Sequence, residues 1–226
     1  MSEQAFIYTL DLIGTASFAF SGALRGLGRR PDLVGLTILA AATAIGGGIV
    51  RDVVLDRTVH MLWDPAYLLV ILGAAVATYV FPRKLTGRSS LFEYFDAVGL
   101  GVFSAIGAGI AYSTGPAMGF SWYPGVNPIS VVFIAAITGA GGGVIRDILL
   151  SRMPLVLYRE VYILAVVLGA VALIVTRELG GGVIAGFLAA MIVTTGIRIP
   201  AIRFGWSLPR AQLAGDQDEG RSEGLH

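Results

Sequence analysis

Long apolar stretches alternate with short charged segments along most of this chain. Seven of these stretches are long enough to form helices, and they lie at residues 5–24, 33–55, 66–82, 92–112, 128–150, 160–176 and 181–197. A helix needs about 20 mostly apolar residues to cross a bilayer. The pattern therefore predicts an all-α polytopic membrane protein with seven transmembrane helices and a polar tail at 200–226.

Composition supports this class. The chain is 55% hydrophobic and 14% charged, with a mean hydropathy of +0.78, whereas soluble domains carry about 25% charged residues. A net charge of +1 gives no reason to expect a nucleic-acid partner. There is no cysteine, and the two histidines are His60 and His226, so we expect no metal site and no cofactor. No phosphate-binding loop or nucleophile–His–acid set occurs within the spans, so we expect that the protein is not an enzyme.

Lys and Arg predict the orientation, because cytoplasmic loops are enriched in them. One predicted side holds only Arg57 and Arg177. The other side holds twelve basic residues: Arg25, Arg29, Arg30, Arg83, Lys84, Arg88, Arg152, Arg159, Arg198, Arg203, Arg210 and Arg221. The N-terminus is therefore predicted to lie outside and the C-terminus in the cytoplasm.

The chain contains an internal repeat. LDLIGTASFAFSGA at 10–23 matches FDAVGLGVFSAIGA at 95–108, and TAIGGGIVRD at 43–52 matches TGAGGGVIRD at 138–147. YLLVILGAAV at 67–76 matches YILAVVLGAV, which begins at Tyr162, after a slip of one residue.

Each half of the repeat holds three spans, and an odd number of spans forces the second copy to be upside down. We therefore expect two inverted three-helix repeats plus a seventh helix, an architecture that places transport sites near the bilayer midplane. The predicted units are a first repeat at 1–84, an inverted repeat at 85–177, a seventh helix at 178–199 and a cytoplasmic tail at 200–226.

Three glycines interrupt both the second and the fifth span: Gly46, Gly47, Gly48 and Gly141, Gly142, Gly143. Each glycine costs a helix about 1 kcal/mol relative to alanine, so we expect local unwinding. Unwound backbone in a membrane lies against protein or a water-filled cavity, where its carbonyl oxygens suit a partly dehydrated K⁺ or Na⁺. The glycines are thus predicted to form the narrow point of an ion path. Alternatively, they only permit close helix packing.

Four charges follow the glycines inside the spans: Arg51, Asp52, Arg146 and Asp147. Intramembrane charges line cavities or pair with one another. Inverted symmetry predicts that Arg51 pairs with Asp147 and that Arg146 pairs with Asp52. Such pairs would gate the path, or would serve as structural salt bridges between the repeats.

Two further repeat-related pairs are polar. Asp11 and Asp96 are predicted to attract cations at opposite mouths of the path, or to be ordinary interfacial carboxylates. Thr43 and Thr138 precede the glycines by one turn, where their hydroxyl groups extend the polar path or bond back to helix carbonyls.

The doubled Gly-Gly-Gly-x-x-Arg-Asp motif, the seven spans and the inverted repeats resemble the prokaryotic trimeric intracellular cation (TRIC) channels over about residues 5–198. The resemblance implies a homotrimer in the prokaryotic inner membrane, surrounded by membrane lipids, with a K⁺-preferring pore in each protomer between kinked second and fifth helices. It places the six glycines at the constriction and the Arg–Asp residues beside it.

A second function class stays open. Some prokaryotic relatives are regarded as transporters of small neutral amino acids such as glycine. A carrier would also use inverted repeats and broken helices, and its arginines would suit a substrate carboxylate. A purely structural membrane protein does not account for four intramembrane charges in matched positions.

Overall fold

The computed structural model of the chain describes residues 2–82, 85, 91–114 and 127–206. Within these ranges the chain is helical and contains no strand, which confirms the all-α class. The long helices are α1 (Glu3–Gly26), α2 (Leu33–Val54), α3 (Pro65–Val80), α4 (Leu91–Thr114), α5 (Pro128–Leu149), α6 (Glu160–Glu178) and α7 (Val183–Phe204). Three short helical turns, Leu27–Arg29, His60–Leu62 and Leu155–Tyr158, lie between them.

Each long helix lies where a span was predicted, and among the described residues six are long and apolar enough to cross a membrane. The exception is α3, an apolar helix of 16 residues. At 1.5 Å per residue it is about 24 Å long, which is less than the roughly 30 Å of a bilayer core. The predicted polytopic architecture is therefore confirmed, with α3 as a shorter seventh apolar helix.

Polar side chains define where the helices begin. The side chain of Asp32 accepts a hydrogen bond from the Gly35 N–H at 2.7 Å at the start of α2. Asp64 caps α3 through the Ala66 N–H at 2.9 Å, and Asn127 caps α5 through the Ile129 N–H at 3.0 Å. Each cap satisfies an N–H group that has no partner within its helix.

The last helix is longer than the sequence predicted. We expected the seventh span to end at residue 199, before Pro200, but α7 continues through Pro200 to Phe204. It ends at Gly205, which adopts a left-handed backbone (φ 64°), the conformation that glycine allows after a helix. Proline removes one backbone donor and does not end the helix here. Residues 207–226 of the predicted tail lie outside the described residues, as do Arg83, Lys84 and Arg88.

The core centres on α4, which is the most buried of the six spans. Phe18 of α1 and Phe103 of α4 pack with ring centroids 5.2 Å apart. Each ring lies against a glycine of the opposite helix: a Cβ on Gly99 would overlap the Phe18 ring, and a Cβ on Gly14 would lie 3.2 Å from the Phe103 ring. The sequence repeat pairs the same residues, Phe18 with Phe103 and Gly14 with Gly99.

We predict that Phe18→Ala lowers the free energy of unfolding by about 3 kcal/mol, because a cavity is left where the surrounding helices cannot collapse. Phe133→Ala is the matched control, since Phe133 is 59% exposed at the outer surface of the bundle. Thermal unfolding in detergent measures both. Equal melting temperatures for the two variants would contradict the importance of this contact.

Candidate functional site

The two glycine motifs meet where α2 crosses α5. A Cβ on Gly47 would overlap the carbonyl oxygen of Thr138, and a Cβ on Gly142 would overlap that of Thr43. A Cβ on Gly141 would lie 3.1 Å from the Cα of Gly47. The contacts pair 43 with 142 and 47 with 138, so the helices run in opposite directions at the crossing. Their backbones touch because glycine has no side chain there.

The predicted unwinding is wrong. Both α2 and α5 remain α-helical throughout Gly46–Gly48 and Gly141–Gly143. Breaking a helix in hydrocarbon leaves backbone groups without partners, at several kcal/mol each, which exceeds the propensity cost of about 1 kcal/mol per glycine. The glycines therefore allow close packing between intact helices, and their carbonyl oxygens stay in the helical ladder.

The threonines before the glycines bond back to their own helices. The Thr43 hydroxyl donates to the Leu39 carbonyl at 2.6 Å, and the Thr138 hydroxyl donates to the Ile134 carbonyl at 2.6 Å. Both threonines are buried, and each packs where a Cβ on Gly22 or on Gly107 would collide with it. Both hydroxyl groups therefore donate their protons to backbone carbonyls of their own helix, as expected if the threonines bond back to the helix.

On the C-terminal side of the glycines, α5 carries a closed charged cluster. The fully buried Arg146 guanidinium donates to Asp96 of α4 at 2.6 Å and to the Ser21 hydroxyl of α1 at 2.7 Å. It also binds both oxygens of Asp147 in a fork at 2.9 and 3.1 Å. Arg25 of α1 lies 3.8 Å from Asp147. Two guanidinium groups therefore face two carboxylates, and one side chain ties three helices together.

The corresponding cluster on α2, here called the open cluster, consists of Arg51, Asp52, Asp11 and Tyr67 and is arranged differently. Arg51 holds Asp52 in the same fork, at 2.8 and 3.0 Å. Asp11, the counterpart of Asp96, accepts instead from the Tyr67 hydroxyl at 2.6 Å and lies within electrostatic reach of Arg51 and Asp52. Here two carboxyl groups face one guanidinium, so this cluster lacks the second arginine that is present in the cluster on α5.

Asp64 lies at the edge of the open cluster on α2, in the connection before α3. It accepts from the Tyr8 hydroxyl at 2.7 Å, and the Tyr8 ring packs edge-on against Tyr67. The Tyr8 hydrogen bond, together with that from the Ala66 N–H, holds the pKa of Asp64 below its ordinary value. A carboxylate is therefore ionised at this end of the cluster.

The predicted cross-repeat pairs are not formed: Arg51 does not bind Asp147, and Arg146 does not bind Asp52. Because α2 and α5 run in opposite directions, the residues after each glycine motif move away from the crossing on opposite sides. Each arginine then finds its own neighbouring aspartate. The polar links between the halves are instead made by Arg146 with Ser21 and by Arg25 with Asp147.

Both residues predicted as pore mouths lie in these clusters. Asp96 is completely buried, whereas Asp11 is only partly buried. Each has one buried oxygen, Oδ1 of Asp11 and Oδ2 of Asp96, with no hydrogen-bond partner among the described residues.

Sequence reasoning missed three partners: Ser21, Tyr67 and Tyr162. A Cβ on Gly143 would lie 3.3 Å from the Tyr162 hydroxyl and 3.7 Å from Asp96, so Tyr162 adjoins the closed cluster as Tyr67 adjoins the open one. Each tyrosine is the first residue of one of the two matched stretches of the repeat, so the repeat could have identified both. Ser21 has no such signal, because its counterpart is Ile106.

Comparisons with known proteins find relatives that match most of the chain. A family model described as "Glycine transporter" matches residues 8–83 and 93–178. The UPF0126 inner membrane protein YadS of Escherichia coli K12 is 35% identical over 212 residues, covering 92% of this chain and 97% of that protein.

Two solved structures are also similar. A prokaryotic TRIC channel crystallised in 0.5 M KCl has a TM-score of 0.81 and 32% identity, covering 91% of this chain and all of that one. The TRIC trimeric intracellular cation channel orthologue from Rhodobacter sphaeroides has a TM-score of 0.79 and 33% identity, covering 89% of this chain and 99% of that one.

We predict that Arg146→Ala and Asp96→Ala each destabilise the protein by about 3–5 kcal/mol, since each leaves a buried charge without its partner. The double variant should lose clearly less than the sum of the two. The control pair, Arg51→Ala with Asp147→Ala, lies in separate clusters and should be additive within about 0.5 kcal/mol. Denaturant unfolding in detergent gives all the values, and additivity of the first pair would refute the interhelical contact.

Proposed function

This chain belongs to the prokaryotic family of trimeric intracellular cation (TRIC) channels, and we propose that it is a K⁺-preferring cation channel with a pore through each protomer. Its close structural matches are ion channels, so it is not an enzyme. Similarity to TRIC channels over about nine tenths of the chain supports cation permeation.

The observation that carries the pore position is the α2–α5 crossing between two buried charged clusters. We place the ion path along this crossing, from the open cluster at Asp11 to the closed cluster at Asp96. The ionised Asp64 at the edge of the open cluster attracts cations, and the paired Arg146 limits the repulsion that a free guanidinium would exert. Because the helix backbones touch at Gly47 and Gly142, ions pass only when α2 and α5 move apart.

A helix carbonyl keeps a second lone pair after accepting its hydrogen bond. Once the helices separate, the carbonyl oxygens of the two glycine motifs face the gap, where no side chain covers them. Weak ligands of this kind suit K⁺, and with lower preference Na⁺, because they replace hydration without holding the ion tightly.

The chain is a bacterial multi-pass membrane protein, as its relatives are. We propose the inverted 3+3 topology for it, supported by the matched contacts of Phe18 and Phe103 and of Gly47 and Gly142. We also propose a homotrimer, on the family name of its structural relatives, and an outside N-terminus with a cytoplasmic C-terminus, on the distribution of Lys and Arg.

A transporter of a small neutral amino acid is the second candidate, and the description "Glycine transporter" of the matching family model favours it. Two observations weigh against it. The helices are not broken at the glycines, so no unwound amides are available to bind a substrate carboxylate. Both central arginines already hold aspartates in forks.

We predict that Gly47→Leu or Gly142→Leu reduces K⁺ flux at least tenfold, because the side chain fills the space that opens between α2 and α5. Gly73→Leu is the control, since a Cβ on Gly73 meets no atom within 4 Å. K⁺ efflux from proteoliposomes measures flux, and gel filtration checks that each variant is folded. Normal flux through a folded Gly47→Leu protein would place the path elsewhere.

We also predict discrete single-channel openings of the purified protein in a planar bilayer under a KCl gradient, with a reversal potential near that for K⁺. Adding glycine should change neither the openings nor the reversal potential. Silence at all voltages, together with uptake of labelled glycine into proteoliposomes, would instead establish the carrier.

A further inference from the structure

The C-terminal half of α7 holds a buried arginine without a counter-charge. Arg198 is 4% exposed, and its Nε is buried with no hydrogen-bond partner. Its guanidinium lies over the ring of Tyr162, 4.7 Å from the centroid. Among the described residues it forms neither an ion pair nor a hydrogen bond. Arginine stays protonated in proteins, and a buried unpaired charge is costly, so this position calls for an anion.

The nearby carboxylates do not supply that anion. Arg198 lines a small cavity with Glu93 of α4, Arg159 at the start of α6, and Ala201 and Trp206 at the end of α7. Glu93 lies 3.9 Å from Arg159, which compensates it. Asp96, on the next turn of α4, is bound by Arg146 at 2.6 Å. The cavity therefore has two guanidinium groups and one carboxylate.

We propose that this cavity binds a phosphate oxyanion, coordinated by Arg198 with the help of Arg159. The planar guanidinium presents several N–H donors in a fork that matches the oxygens of a phosphate. An oxyanion here would give the buried Nε an acceptor and would balance the excess positive charge. Neither the pore nor its charged clusters supply a residue to this site, so the proposal does not rest on the channel function.

The position of the cavity allows two sources of phosphate. Trp206 and Phe204 stack at the end of α7, with ring centroids 6.3 Å apart, and both are exposed. Aromatic residues at the end of a span mark the headgroup level of a bilayer. The phosphate is therefore that of a phospholipid headgroup, or a free phosphate from the aqueous side. Either phosphate would hold Arg198 of α7 in place over Tyr162 of α6, and it would therefore stabilise the contact between these two helices.

The test is a titration of the full chain, purified in a non-ionic, phosphate-free detergent, at constant ionic strength. One arm adds inorganic phosphate, and the other adds a short-chain phosphatidylglycerol. We expect a saturable rise in melting temperature, because a ligand of the folded state stabilises it in proportion to its occupancy. Saturation with phosphate identifies a free-phosphate site, and saturation with the lipid alone identifies a headgroup site.

Three variants assign the effect to the cavity. Arg198→Gln should raise the dissociation constant roughly 10- to 100-fold, the value of a charge-assisted hydrogen bond. Arg203→Gln, on the same helix but exposed, should bind like the unaltered protein. Arg159→Gln removes a half-exposed guanidinium and should weaken binding severalfold, which keeps the test decisive if Arg198→Gln fails to fold. No saturable shift with either compound, or equal shifts in the Arg159 and Arg203 variants, would overturn the proposal.

Discussion

The interaction on which the bundle depends is the complete pairing of Arg146. This guanidinium is fully buried and binds Asp96 of α4, Asp147 of α5 and Ser21 of α1. An ionised group in hydrocarbon is tolerated only with partners that replace its hydration. The three helices must therefore hold these partners at hydrogen-bond distance, which fixes the positions of the helices around α4.

Close backbone approach makes this pairing possible. Glycines let α2 and α5 touch at their crossing, and they let Phe18 and Phe103 pack against the opposite helices. Helices in lipid gain little from burying apolar surface, so small residues and tight packing largely decide their association. The glycines thus lower the stability of each isolated helix but allow the close contacts that stabilise the bundle. Within the bundle, both helices stay unbroken.

The two halves use the same residue types to different ends. In the second half Asp96 is bound by Arg146, and the cluster is balanced. In the first half Asp11 is bound by Tyr67, and Arg51 is occupied by Asp52. One end of the crossing is therefore locked by an ion pair between helices, while the other depends on a neutral hydroxyl donor. An ion that moved along the crossing would therefore encounter a different electrostatic barrier at each end.

The sequence by itself determined the helix positions, because hydropathy and the spacing of charges depend on local residues. It also identified the repeat and, through it, the glycines, the arginines and the aspartates of both clusters; Tyr67 and Tyr162 could have been found in the same way. Only the tertiary structure decided that the glycine segments stay helical, because the cost of unsatisfied backbone groups depends on the hydrocarbon around them. It also decided the partner of each arginine, since side chains at Arg51 and Arg146 reach whichever acceptor the crossing of the helices brings near. Arg198, a basic residue at the end of a span by sequence, is buried only because α4, α6 and α7 pack around it.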